Sequence, residues 1–120
     1  MNLYSSLEEL RYYKTPIQKL KYESGGNYFY IKREDQIPFS FGGNKARIAA
    51  QYILDYQKKK YDKMIIYGSK NSNLCRVLAN MCVVEKIPCV VVFSEDRGIH
   101  SSTINSKIVE MLGVEVVNCE

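Results

Sequence analysis

From residue 63 onward the chain alternates short apolar runs with longer segments whose apolar positions recur at spacings of three and four. Met64-Ile65-Ile66-Tyr67, Pro88-Cys89-Val90-Val91-Val92-Phe93 and Val114-Glu115-Val116-Val117 are the runs. Their length and β-branched content predict strands of a parallel sheet covered on both faces. Between them, Leu74, Val77, Leu78, Met81 and Cys82 mark one helical face and Ile104, Ile108, Met111 and Leu112 another, with Gly113 as a stop signal. The predicted order is strand, helix, strand, helix, strand, an α/β fold that presents ligands at the carboxyl ends of its strands.

The first sixty residues follow a different pattern. Tyr28-Phe29-Tyr30-Ile31-Lys32-Arg33 has strand composition and follows a Gly25-Gly26-Asn27 turn, with the tyrosines expected as half-buried packing residues. Ala49, Tyr52, Ile53 and Tyr56 mark a helix that starts near Asn44 and ends in Lys58-Lys59-Lys60. Residues 1–24 are weakly patterned, apart from an extended or turn segment at Thr15-Pro16.

Bulk properties narrow the function classes. The chain has 120 residues, enough for one modest domain, and its 46% hydrophobic content suits a folded core. No apolar run approaches the roughly 20 residues that cross a bilayer, and the first residues lack a signal-peptide pattern, so the chain reads as cytoplasmic with no membrane partner. Cys75, Cys82, Cys89 and Cys119 form no Cys-x-x-Cys pair and the chain has one histidine, which predicts free, mostly buried thiols and no metal site. A net charge of +4 and the Lys58, Lys59, Lys60 and Lys63 cluster raise a nucleic-acid reading. Lysines at a helix end complement its negative terminus, and that reading is preferred, with no nucleic-acid partner. His100 reads as a loop residue on the surface, and Glu34 and Asp35 as capping or loop contacts. Arg76 reads as a screen for a bound carboxylate or as half of a surface ion pair.

Two stretches carry candidate chemistry. In Phe41-Gly42-Gly43-Asn44-Lys45-Ala46-Arg47, a glycine pair delivers Lys45 to the first turn of a helix. That end of a helix disfavours an ammonium, and a neutral amine is the form that attacks an aldehyde. Taken alone, the same residues are an ordinary turn before an Asn cap and a solvated lysine. Gly68-Ser69-Lys70-Asn71-Ser72-Asn73 follows a strand and precedes a helix, a place where main-chain N–H groups hold anions. Ser72 and Asn73 add a hydroxyl and an amide, although a Ser-Asn pair is by itself an ordinary helix cap. This second loop lacks the glycine spacing of a dinucleotide fold or a P-loop, which argues against NAD and ATP.

Thr15-Pro16-Ile17, Ile31-Lys32-Arg33-Glu34-Asp35, Phe41-Gly42-Gly43-Asn44-Lys45 and Asn71-Ser72-Asn73 with Arg76 together resemble, in order and spacing, the amino-terminal part of fold-type II pyridoxal-phosphate enzymes. The branch resembled is that of D-cysteine desulfhydrase and 1-aminocyclopropane-1-carboxylate deaminase, over residues 15–120. The resemblance implies a tryptophan synthase β-like fold, here incomplete, and pyridoxal 5'-phosphate as cofactor. It implies that Lys45 forms the internal aldimine and handles protons, with Asn44 in support, and that Asn73 hydrogen-bonds the cofactor's 3-hydroxyl. It further implies that Ser72 contacts the substrate carboxylate and acts near the reacting carbon, with Asn73 and Leu74 on the substrate side. Asn71 and Leu74 stand where the branch usually carries Gln and a polar Gln or His, and Leu74 cannot donate a side-chain hydrogen bond.

By this resemblance, residues 1–58 contribute to the larger cofactor domain and carry Lys45, while residues 59–120 begin a smaller three-layer α/β domain. The reading is the amino-terminal portion of a lyase or deaminase acting on a small amino acid, inactive as an isolated 120-residue chain and a homo-oligomer when complete. The family's phosphate loop belongs to a carboxyl-terminal half, so the chain is expected to be a fragment or split polypeptide whose exposed apolar faces meet that half or a partner chain. The alternative is a non-catalytic truncated α/β module that binds an anion or a partner chain.

Overall fold

The computed structural model describes residues 6–94 and 101–119. The candidate loop residue His100 lies outside them. Three parallel strands, β3 (Met64–Ser69), β4 (Cys89–Ser94) and β5 (Glu115–Cys119), form a sheet in sequence order. Helices α3 (Asn73–Val84) and α4 (Ile104–Met111) connect them. α3 packs on β3 and β4, α4 lies beside α3, and α2 (Lys45–Lys59) packs on α3. The short α1 (Leu7–Arg11) in turn packs on α2.

Register decides which side chains enter the core. Ile66, Val91 and Val116 stand in one row across the sheet and point toward the helices, with Ile66 and Val91 buried. Their neighbours Tyr67, Val92 and Val117 form the opposite row, and successive residues of a strand face opposite sides. On that side Ile65 is 72% and Tyr67 69% exposed. Val90, the neighbour of Ile65 on that side, is nonetheless buried, and among the described residues the helices α3 and α4 lie on the opposite face.

The amino-terminal region also departs from the sequence reading. A hairpin of β1 (Ile17–Ser24) and β2 (Asn27–Lys32) turns at Gly25 and Gly26, both at positive φ as a tight hairpin of right-twisted strands requires. Every residue of both strands is exposed, so Tyr28 and Tyr30 are surface residues rather than half-buried ones. Without a buried face β1 has no alternation to reveal it. α1 is too short to show a helical period, yet Ser6 caps it and Leu7 and Leu10 are buried.

α2 ends as the lysine run predicts, with Lys58 and Lys59 in its last turn and Lys60 at its left-handed cap. One hydrophobic core runs from Leu7 through Ala49, Ile53, Val77 and Met81 to Phe93 and Val109. Cys75, Cys82 and Cys89 are buried free thiols, and Cys119 is an exposed one.

Candidate functional site

Lys45 is the first residue of α2, and the loop before it is shaped by the backbone. Gly42 (φ +72°) lies so close to Asp35 that a β-carbon would sit 2.4 Å from its carbonyl oxygen. The Gly43 N–H donates to the Glu34 carbonyl at 2.7 Å. Glu34 begins a 3-10 turn (Glu34–Gln36), and its carboxylate accepts Nε (2.6 Å) and Nη2 (2.9 Å) of Arg47 and the Thr15 hydroxyl (2.6 Å). Arg47 also donates to the carbonyls of Arg11 (2.9 Å) and Tyr13 (2.7 Å). These bonds hold the Glu34 carboxyl well below the usual range, at about 2, the Arg47 hydrogen bonds being the largest cause. Glu34 is thus more than a loop contact: it anchors the turn that sets the start of α2. Among the described residues the Lys45 side chain makes no ion pair or hydrogen bond, and it is half-buried. Asn44 occupies the cap position, but its exposed side chain makes no capping bond.

At the start of α3, the Ser72 hydroxyl accepts the Cys75 N–H at 3.2 Å, so the ordinary helix-cap reading of Ser72 holds. Its own O–H remains able to donate. The first N–H groups of α3, those of Asn73 and Leu74, have no intrahelical acceptor by the geometry of a helix start. Asn73 is exposed, and its side-chain oxygen accepts Nδ2 of Asn105 (3.0 Å) and Nη2 of Arg76 (3.4 Å). Leu74 is half-buried and lines a cleft of about 440 Å³ beside the edge strand β3, with Tyr52, Tyr56, Tyr67 and Leu78. Lys45, Ser72 and Asn73 do not line that cleft.

The lysine loop and the α3 cap are joined by Arg76. It is only 6% exposed and donates to the Ser40 carbonyl, to Ser40 Oγ (2.8 Å) and, through Nε, to Asn105 Oδ1 (2.8 Å). Its guanidinium also lies over the Phe41 ring, 5.3 Å from the centroid. Burial draws its pKa down, and none of its described hydrogen-bond partners is acidic. Of the two readings of Arg76, the surface ion pair is therefore corrected to a buried guanidinium satisfied by neutral oxygens. A charged residue set inside the apolar run Cys75-Arg76-Val77-Leu78 was the available signal. Asn105 and Thr103 carried no signal of their own. Thr103 caps α4 and donates to the Lys70 carbonyl, which ties the 68–73 loop to that helix.

Among the described residues no cluster of His, Cys, Asp and Glu could hold a metal, and no helix is long and apolar enough to cross a membrane.

The family described as "Pyridoxal-phosphate dependent enzyme" matches residues 9–120. A D-cysteine desulfhydrase of Yersinia pestis (strain Pestoides F) is 30% identical over 112 residues, covering 88% of this chain and 34% of that protein. A 1-aminocyclopropane-1-carboxylate deaminase of Burkholderia multivorans is 32% identical over 111 residues, covering 85% of this chain and 33% of its own length. The crystal structure of an ACC deaminase homologue superposes with a TM-score of 0.74 at 27% identity, over 93% of this chain and 34% of that one. The chain spans about a third of the length of the relatives it matches.

Proposed function

Because the chain belongs to the pyridoxal-phosphate dependent enzyme family, with the α/β architecture of its fold-type II members, we propose that it is the amino-terminal portion of a lyase or deaminase acting on a small amino acid. The observation that supports this most is the pairing of two features. An unpartnered lysine opens α2, and buried Arg76 bonds both the loop leading to that lysine and the Ser72-Asn73 cap.

The residues present fit the cofactor. Lys45 supplies an amine with no competing partner among the described residues, which is what covalent attachment to an aldehyde needs. The oxygen of Asn73 is already engaged, leaving its amide N–H groups to donate to the ring oxygen. The Ser72 O–H and the open N–H groups of α3 would receive the substrate carboxylate. Asn44 stands beside the lysine in a supporting place, whereas Leu74 lines the separate cleft beside β3 and gives the substrate side no support. When bound, pyridoxal phosphate supplies the electron sink for chemistry at the amino acid's α-carbon. In this reading, contacts to the phosphate and to the pyridine nitrogen come from the remainder of a longer polypeptide, as does the oligomeric interface.

The test is chemical trapping. Pyridoxal phosphate added to the full-length polypeptide and reduced with borohydride is expected to label Lys45, as located by peptide mass mapping. Label on another lysine, or undiminished visible cofactor absorbance in Lys45→Ala, overturns the assignment. Sulfide release from D-cysteine and ammonia release from 1-aminocyclopropane-1-carboxylate then separate the two activities named by the relatives.

The exposed apolar row of Ile65 and Tyr67 favours a second reading, a non-catalytic α/β module that docks on another chain. Size-exclusion chromatography of the 120-residue chain decides it: a stable monomer that never associates argues against docking.

A further inference from the structure

The amide of Asn73 has a defined polarity, and residues outside the candidate contacts impose it. Arg76 has donors only, so whatever faces its Nε and Nη2 must be an acceptor. Its Nε meets Asn105 at 2.8 Å, which makes that end of Asn105 the oxygen and the other end the NH2. That NH2 then has two acceptors, the Asn71 carbonyl at 2.8 Å and Asn73 at 3.0 Å. The Asn71 carbonyl can only accept, so the orientation of Asn105 is set independently from both of its ends. Asn73 therefore turns its oxygen inward to Asn105 and Arg76, and only its NH2 remains outward.

We propose that Arg76 and Asn105 are positioning residues that lock the Asn73 amide with its donor end toward the ligand, so that the site selects a deprotonated ring oxygen over a protonated one. An outward NH2 can donate to a phenolate, whereas an outward carbonyl would accept from a phenol and favour the neutral ring. The same guanidinium holds Ser40 just ahead of the lysine loop, so the lock and the placement of the amine share one anchor. The selection of the ring form rests on pyridoxal phosphate being the ligand. The polarity of the amide does not.

Asn105→Asp is the informative variant. It keeps an oxygen for Arg76 Nε but replaces the NH2 that faces Asn73 with a carboxylate oxygen, a stronger acceptor, which inverts the Asn73 amide at the expense of its longer 3.4 Å contact to Arg76 Nη2. In the cofactor-free full-length protein, side-chain amide NMR is expected to show the Asn73 NH2 exchanging freely in the wild type. In the variant that exchange slows by roughly tenfold, the effect of one gained hydrogen bond. With pyridoxal phosphate bound, the ratio of visible phenolate absorbance to near-ultraviolet neutral absorbance is expected to fall by roughly tenfold. Asn105→Ala, which leaves Asn73 held by Arg76 alone, is expected to lie between the two and serves where the aspartate variant folds poorly.

An Asn73 NH2 that is already protected in the wild type, or an absorbance ratio unchanged in both variants, overturns the proposal. A wild type without Lys45-dependent visible absorbance instead removes the cofactor assignment, and the exchange measurement still decides the polarity of the amide.

Discussion

Arg47 grips Glu34 with two parallel hydrogen bonds, Nε to Oε2 at 2.6 Å and Nη2 to Oε1 at 2.9 Å, and the pair sits between α2 and the turn that precedes the glycine loop. Both side chains are largely covered, and Arg47 also holds two carbonyls of the segment after α1. Removing one partner leaves the other's hydrogen-bonding groups stranded. Glu34→Gln is expected to destabilise the fold by roughly 1.5–3 kcal/mol, the range for hydrogen bonds to charged groups. Arg47→Lys is expected to fare no better, because an ammonium cannot reproduce the fork. Urea denaturation of wild type and variants measures both.

The same pair predicts a pH dependence. The folded-state pKa of Glu34 is lowered from 4.5 to about 2, so the fold prefers the carboxylate. Its contribution to stability is complete above the unfolded value and is lost as pH falls through the folded one. The stability gap between wild type and Glu34→Gln is therefore expected to be constant near neutrality and to shrink between pH 4.5 and about 2. Thermal melts across that window read it directly, and a gap that widens on acidification contradicts the assignment.

The two glycines before Lys45 are not equivalent. Both have positive φ, but a β-carbon on Gly42 meets the Asp35 backbone while one on Gly43 meets nothing within 4 Å. Gly43→Ala is expected to cost roughly 1–2 kcal/mol from the left-handed backbone alone. Gly42→Ala adds a backbone collision and is expected to cost about 3 kcal/mol or more. The order of the two melting temperatures checks this.

Ser72 caps α3 whatever else it does. Ser72→Ala is expected to lower stability by about 0.5–2 kcal/mol, and Ser72→Asp to recover most of it, because aspartate is an equally good cap. A substrate-binding role separates from capping in the same pair: Ser72→Asp is expected to keep stability yet lose affinity for an amino-acid carboxylate, since like charges repel.

The thiols should divide by burial. Cys119 is exposed, whereas Cys75, Cys82 and Cys89 are buried, with burial also pushing the Cys75 thiol up. A thiol reagent is expected to modify one cysteine quickly in the folded protein and the other three only on unfolding.

The parallel strands, α3, α4 and the extent of α2 were legible because each buries one face, and burial writes a period into the sequence. The hairpin strand β1 and the exposure of Ile65 and Tyr67 were not. An exposed strand needs no alternation, and the run Met64-Ile65-Ile66-Tyr67 reads the same whether or not a second layer covers it. For the candidate site, Lys45, Ser72 and Asn73 stood out through their place beside glycines and at a helix start. Glu34 and Arg47 lie in two separate motifs that do not reveal their pairing, because residues far apart in sequence show no mutual spacing.

The sequence by itself determined the reversal at Gly25-Gly26 and the starts of α2 and α3, since glycine angles, capping side chains and apolar periods are local properties. Only the tertiary structure decided which charges would be buried and what would satisfy them. Arg76 and Asn105 belong to different helices, and nothing local tells either that it will face the other. A guanidinium brought into the interior must find acceptors there, and it was the packing of α3 against α4 and the lysine loop that supplied them.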